Sequence, residues 1–217
     1  GLEGYFLDMA SAFEQSLSIN DQFEEEIGQE RLHYWGKVYN EGIRFAGPDS
    51  QQWDKALKYF ETATIIIPNR LPAWRNVAYV QYQMDDPKSA MGTYEHLLTE
   101  SPNDTASASN LGVLYINAER YEDAIRVLRI AIEVGDHLGA LTNIAVAHME
   151  LDQLKQAEEA YLRAIEIDPE QWQVHYNLGN LHRMRGELSQ ALTAYRRALS
   201  YEPDNDRIRD AVGKLAS

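Results

Sequence analysis

There is no cysteine in these 217 residues, which removes disulfide frameworks, thiolate zinc sites, thiol nucleophiles and cysteine-held iron–sulfur clusters together. Long apolar runs are missing too. Nothing approaches the roughly 20 residues a spanning helix needs, so no direct membrane insertion is expected of this chain. No basic-then-apolar leader opens the sequence. It begins Gly1-Leu2-Glu3 without a methionine, which leaves room for a targeting segment or anchor upstream. Bases are in short supply: 20 Lys and Arg stand against 34 Asp and Glu, a formal charge of −14. Such a field repels phosphate backbones, and nucleic acid is not an expected partner. The shortage is uneven, since residues 1–35 hold eight acids and one base while residues 172–217 hold seven bases and five acids.

The sets of residues that catalysis needs are absent as well. No Gly-rich phosphate loop, GxSxG elbow, HExxH pair or DxDxDG calcium loop occurs. Carboxylates abound, as in Glu24-Glu25-Glu26, but nothing apolar beside them would raise a pKa for acid–base work. The expectation is no enzyme and no cofactor. Histidines 148, 175 and 182 could start a metal site only with a third ligand, for which Glu150 is the one guess. They occupy slots where other copies of a repeat hold Tyr115, Trp74 and Leu141, so helix packing is the expected role, and no metal is expected.

What is present is a period. Ala56, Ala90, Ala124, Ala157 and Ala191 fall 34, 34, 33 and 34 residues apart, the length of one helical hairpin. Four residues after each stands a large side chain (Phe60, Tyr94, Leu128, Tyr161, Tyr195), and three further Ala63, Leu97, Ala131, Ala164 and Ala198. Steps of four and three keep all of them on one helix face. Pro68, Pro102, Pro169 and Pro203, with Asp136 in the remaining copy, then stop the helix. Upstream, Gly42, Ala78, Gly112, Ala145 and Gly179 supply the small residues that let two antiparallel helices approach.

Segments such as SASNLGVLYINAERYEDAIRVLRIAIE and VHYNLGNLHRMRGELSQALTAYRRALSYEP resemble the tetratricopeptide repeat family. The resemblance implies an all-α, right-handed superhelical solenoid of helix-turn-helix hairpins. Its expected divisions are an irregular repeat over 35–70, lengthened by GPDSQQ before Trp53, regular repeats over 71–104, 105–137, 138–171 and 172–205, and a capping helix over 206–217. Residues 1–34 read two ways, as an N-terminal helical cap or as a degenerate half-repeat (5–19) left from a longer array. Asp21 and Glu24 there form a potential capping box.

One further column needs a cause. Two residues before each small contact residue stands an asparagine: Asn40, Asn76, Asn110, Asn143 and Asn177. Asparagine is a poor interior helix residue because its amide competes for local backbone groups. In the family this slot faces the concave surface, where an amide can pair with both the C=O and the N–H of an extended peptide. Members that hold extended peptides, such as the repeat domain of O-linked N-acetylglucosamine transferase, use such a ladder. The other reading makes the amides repeat-to-repeat hydrogen bonds. Helical spacing adds Tyr79, Tyr82, Val113, Ile116, Val146, Met149, Asn180 and Arg183 to the same face. The family's two-carboxylate chaperone clamp is missing, since Ala106 and Asn110 stand where a basic pair is required. The expected function is a non-catalytic scaffold binding an extended segment of a protein or peptide partner. The alternatives are a self-assembly module, a homo-oligomer through the N-terminal helices, or the substrate-recruiting arm of a larger enzyme.

Overall fold

The computed structural model describes residues 4, 8, 11–13, 15, 24–135 and 137–216. Most of the 5–19 half-repeat, the Asp21 capping box and Asp136 lie outside the described residues. All regular structure among the described residues is helical: α1 (Glu24–Ala46), α2 (Trp53–Ile66), α3 (Leu71–Gln83), α4 (Pro87–Glu100), α5 (Thr105–Asn117), α6 (Tyr121–Val134), α7 (Leu138–Glu150), α8 (Leu154–Ile167), α9 (Trp172–Met184), α10 (Leu188–Tyr201) and α11 (Asp206–Ala216). The chain divides into two compact units, residues 1–101 and 102–217.

In the first unit α1 pairs with α2 and α3 with α4, and α2 packs on α3. Its core gathers Trp35, Val38, Ala63, Ile66 and Ala73, with Trp35 stacked on Tyr39 at 4.5 Å. The Arg31 guanidinium donates twice to the Ile66 carbonyl, at 2.8 and 3.0 Å. That bond satisfies one of the acceptors a helix C-terminus leaves open. In the second unit the hairpins are α5/α6, α7/α8 and α9/α10; α6 packs on α7, α8 on α9 and α10 on α11. The terminal helix α11 buries Ile208 against the α10 residues Ala191, Tyr195 and Ala198.

Every alanine of the 34-residue column is fully buried, as are Phe60, Leu128 and Tyr161 four residues on. The small residue opposite explains how the hairpins close. A methyl built on Gly42 would stand 2.7 Å from the Phe60 ring, and one on Gly179 would stand 2.6 Å from the Tyr195 ring. Gly112 meets Leu128 still more closely. Backbone therefore lies directly on the large side chain, a distance only glycine or a slight local shift with alanine allows.

Within a hairpin the two helices are joined by one turn chemistry. Asp85, Glu119, Asp152 and Gly186 adopt left-handed backbone, with φ of 62°, 58°, 57° and 75°. The N–H of the next residue reaches back to the carbonyl five residues before it (Arg120 to Tyr115 at 2.8 Å, Gln153 to His148 at 2.8 Å, Glu187 to His182 at 2.9 Å). This is the Schellman closure of a helix C-terminus. The first hairpin differs. Gly47–Gln52 make a longer turn, closed by Gln52 N–H on the Phe45 carbonyl at 2.9 Å. Between hairpins, Ile67, Ser101, Asp168 and Glu202 leave the helical region, with φ between −132° and −137°. Each precedes a proline, whose ring clashes with helical backbone in the residue before it.

Candidate peptide-binding face

The direction of the asparagine column follows from helix geometry. At about 100° per residue, two residues turn the chain by roughly 200°. The small residue faces the second helix of its hairpin, so the asparagine two positions earlier faces away from it. In the first unit this places Asn40 on α1 and Asn76, Tyr79 and Tyr82 on α3. Asn40 is exposed and Asn76 half-buried. Tyr79 and Tyr82 keep 45% and 42% of their surface in water. Tyr79 meets the edge of Trp53 at 6.2 Å.

The Asn76 amide is engaged. Its Nδ2 donates to the Tyr39 hydroxyl at 2.9 Å, a bond from α3 back to α1. At this rung the repeat-to-repeat arrangement exists, and it uses one N–H of the amide. The second N–H and the carbonyl oxygen have capacity left.

In the second unit α5 carries Asn110, Val113 and Ile116, α7 carries Asn143, Val146 and Met149, and α9 carries Asn177, Asn180 and Arg183. Asn110, Val113 and Arg183 are exposed, and the other six are half-buried. Met149 accepts from the Tyr161 hydroxyl at 3.4 Å. Burial raises the Tyr161 phenol far above its ordinary value, so that hydroxyl stays a donor at any physiological pH. Asn180 is fixed likewise, its Oδ1 accepting from the Tyr195 hydroxyl at 2.8 Å. Apolar side chains thus dominate α5 and α7, and amides and a cation dominate α9.

Arg207 escaped the sequence reading. It lies on α11, read only as a capping helix, yet its Nε donates to the Tyr176 hydroxyl at 3.0 Å, and its guanidinium lies 4.7 Å from the Tyr176 ring centroid. The available signal was its position, 34 residues after Gln173, on the same side of a first helix as the asparagines.

His148 and His182 sit at hairpin turns. His148 Nδ1 contacts Gln153 Oε1 at 2.6 Å, and His182 Nδ1 contacts Glu187 Oε2 at 2.7 Å. Each ties the end of a first helix to the residue that precedes the second. His175 Nε2 donates to the Pro169 carbonyl at 2.8 Å, as the Trp74 indole does to Pro68 at 2.8 Å. Among the described residues no group of three His, Asp or Glu could hold a metal ion, and none of the helices is long and apolar enough to cross a membrane.

Comparison with known proteins agrees with the helical-hairpin fold. The tetratricopeptide repeat family model matches residues 109–171 and 142–208. Among curated relatives, the BBSome complex member BBS4 of Xenopus tropicalis is 28% identical over 53% of this chain and 22% of its own. The Hsp70-Hsp90 organising protein of Plasmodium falciparum is 31% identical over 60% of this chain and 23% of its own. The chain therefore spans about a fifth of the length of the curated relatives it matches. Among solved structures, MamA of Desulfovibrio magneticus RS-1 superposes with a TM-score of 0.72 at 19% identity, over 79% of this chain and 97% of that one. The pilF protein of Pseudomonas aeruginosa gives 0.71 at 18%, over 86% and 90%. The family match over residues 109–208 and the same hairpin in Leu71–Glu100 show that the chain carries repeats of the tetratricopeptide type.

Proposed function

We propose that this protein is a non-catalytic scaffold that holds an extended segment of a partner protein against the free faces of its first helices. The main chain of that segment pairs with the asparagine amides, and its side chains lie on the apolar residues one turn further along. The supporting observation is that two residue types coincide on the same face of the first helices within each unit. An asparagine recurs in every first helix, opposite the hairpin contact, and exposed Tyr79 and Val113 stand three residues after it. Apolar residues left in water at regular spacing beside a column of amides suit a chain that brings both backbone and side chains. The Asn76 to Tyr39 bond fits the same role, because it fixes the amide's orientation before the segment arrives.

The test is a separation of affinity from stability. Ten-residue segments from a displayed random library, selected on the full chain, supply the probe. Asn143→Ala removes a bidentate contact and leaves peptide groups unpaired, a loss of roughly 1 to 3 kcal/mol, or about ten-fold or more in Kd. The melting midpoint should hold or rise, since alanine is the better helix former by up to ~0.7 kcal/mol. A lower midpoint with binding intact would make the column a set of structural rungs and end this proposal.

A further inference from the structure

Arg183 and Arg207 are prominent in so acidic a chain because neither is ion-paired with an acid among the described residues. Asp204 and Asp206, nearest Arg207 in sequence, pair with Arg209 at 3.1 and 2.8 Å, and Asp210 pairs with Lys214. Glu187 pairs with His182, and Glu158 with Arg185. Both arginines are exposed, and no carboxylate among the described residues forms an ion pair with either.

They are nevertheless held in place. Tyr176 and Tyr195 form a pair of rings 5.4 Å apart beneath them. Arg207 lies on the Tyr176 ring and spends its Nε on the Tyr176 hydroxyl. The charges of Arg183 and Arg207 act on the Tyr195 phenol against the burial that raises it. The same hydroxyl donates to Asn180 Oδ1 at 2.8 Å, which leaves both N–H groups of that amide to be donated elsewhere. Two arginines and an amide thus gather about the Tyr176–Tyr195 pair, with Tyr176 holding Arg207 and Tyr195 holding the Asn180 amide. Charged groups whose rotamers are already fixed lose less entropy on pairing.

We infer that Arg183, Arg207 and the Asn180 amide form a subsite for a carboxylate side chain, an aspartate or glutamate carried by the extended partner segment. This rests on the peptide-face proposal and names one residue class that the segment must contain. A carboxylate offers about four acceptor positions, enough for two guanidinium edges and an amide N–H. A phosphate would bring close to two negative charges into the field of a chain whose net charge is −14, and the singly charged group is favoured. The arrangement also differs from a clamp for a chain terminus, since neither Asn177 nor Ala211 adds a base. A side chain in mid-segment fits it.

The experiment uses the full chain and random ten-residue segments displayed with both ends joined to flanking protein, so that no free terminal carboxylate is present. Selection on the unaltered chain should enrich an Asp or Glu at one fixed position. In the enriched segment, synthesised with blocked ends, Asp→Asn or Glu→Gln should weaken binding by ten-fold or more. On Arg183→Ala that difference should shrink to less than three-fold, and Arg207→Ala should act likewise. Arg183→Ala is the safer variant, because Arg207 also packs on Tyr176. Binders with no acidic position, or an acid preference untouched by Arg183→Ala, would overturn the subsite and leave the peptide face standing. A phosphoserine peptide that binds more tightly than the aspartate peptide, through the same arginines, would overturn the carboxylate assignment. Failure to enrich any binder would overturn the peptide face itself.

Discussion

Left-handed backbone at the hairpin turns sets the residue-scale energetics. Gly186 adopts it freely, while Glu119, at φ 58°, has a Cβ that crowds the following carbonyl at about 1 to 2 kcal/mol. Asp85 and Asp152 occupy the same position and bear less strain, since short polar side chains tolerate this region. Glu119→Gly is therefore predicted to stabilise the chain by about 0.5 to 1 kcal/mol after the added flexibility of the unfolded glycine is subtracted. Thermal melts followed by circular dichroism check it: a rise in the midpoint is expected, and a fall would mean that Glu119 makes compensating contacts. The opposite sign belongs to Gly112, where a methyl would meet the Leu128 side chain. Gly112→Ala should cost about 1 to 3 kcal/mol through overpacking, read as a lower urea midpoint. The sequence marked Gly112 as a contact because it recurs with Gly42 and Gly179. It did not mark Glu119 as left-handed, because three of the four turns carry an acid where glycine would have announced the geometry.

At the scale of the element, each second helix is legible because its alanine, large residue and alanine or leucine obey a four-three step that only one helix face satisfies. Ala157 and Tyr161 are both fully buried, and Ala157→Leu is predicted to destabilise by about 1 to 3 kcal/mol, with the midpoint of the chemical denaturation as the readout. An unchanged midpoint would contradict the packing described. The direction of the asparagine face was legible for the same reason, through the 200° offset from the hairpin contact. Its hydrogen bonds were not. Asn76 finds Tyr39 across 37 residues and Arg207 finds Tyr176 across 31, and such contacts depend on how one hairpin stacks on the next. A repeat pattern specifies the stacking, but the side chain presented at each rung is particular to its copy. The charged end of α9 and α11 was half visible, with Arg183 identified on the face and Arg207 hidden in a helix that looked like a cap.

For the whole molecule, a repeat array is held by neighbour contacts, and its function depends on what the first helices leave uncovered. Fold alone does not specify that use, because one architecture serves many partners; the proposed use rests on the amides and the arginines. The central claim is that a partner segment lies along the first helices and not along the second. Amide hydrogen exchange of the full chain, with and without a saturating library-selected segment, tests this directly. Ligand that binds only the folded state slows exchange where it suppresses opening. Protection is predicted in Thr105–Asn117, Leu138–Glu150 and Trp172–Met184, and to be weaker there in Asn143→Ala at equal peptide concentration. Protection centred on Tyr121–Val134, Leu154–Ile167 and Leu188–Tyr201, with the first helices unchanged, would contradict the account.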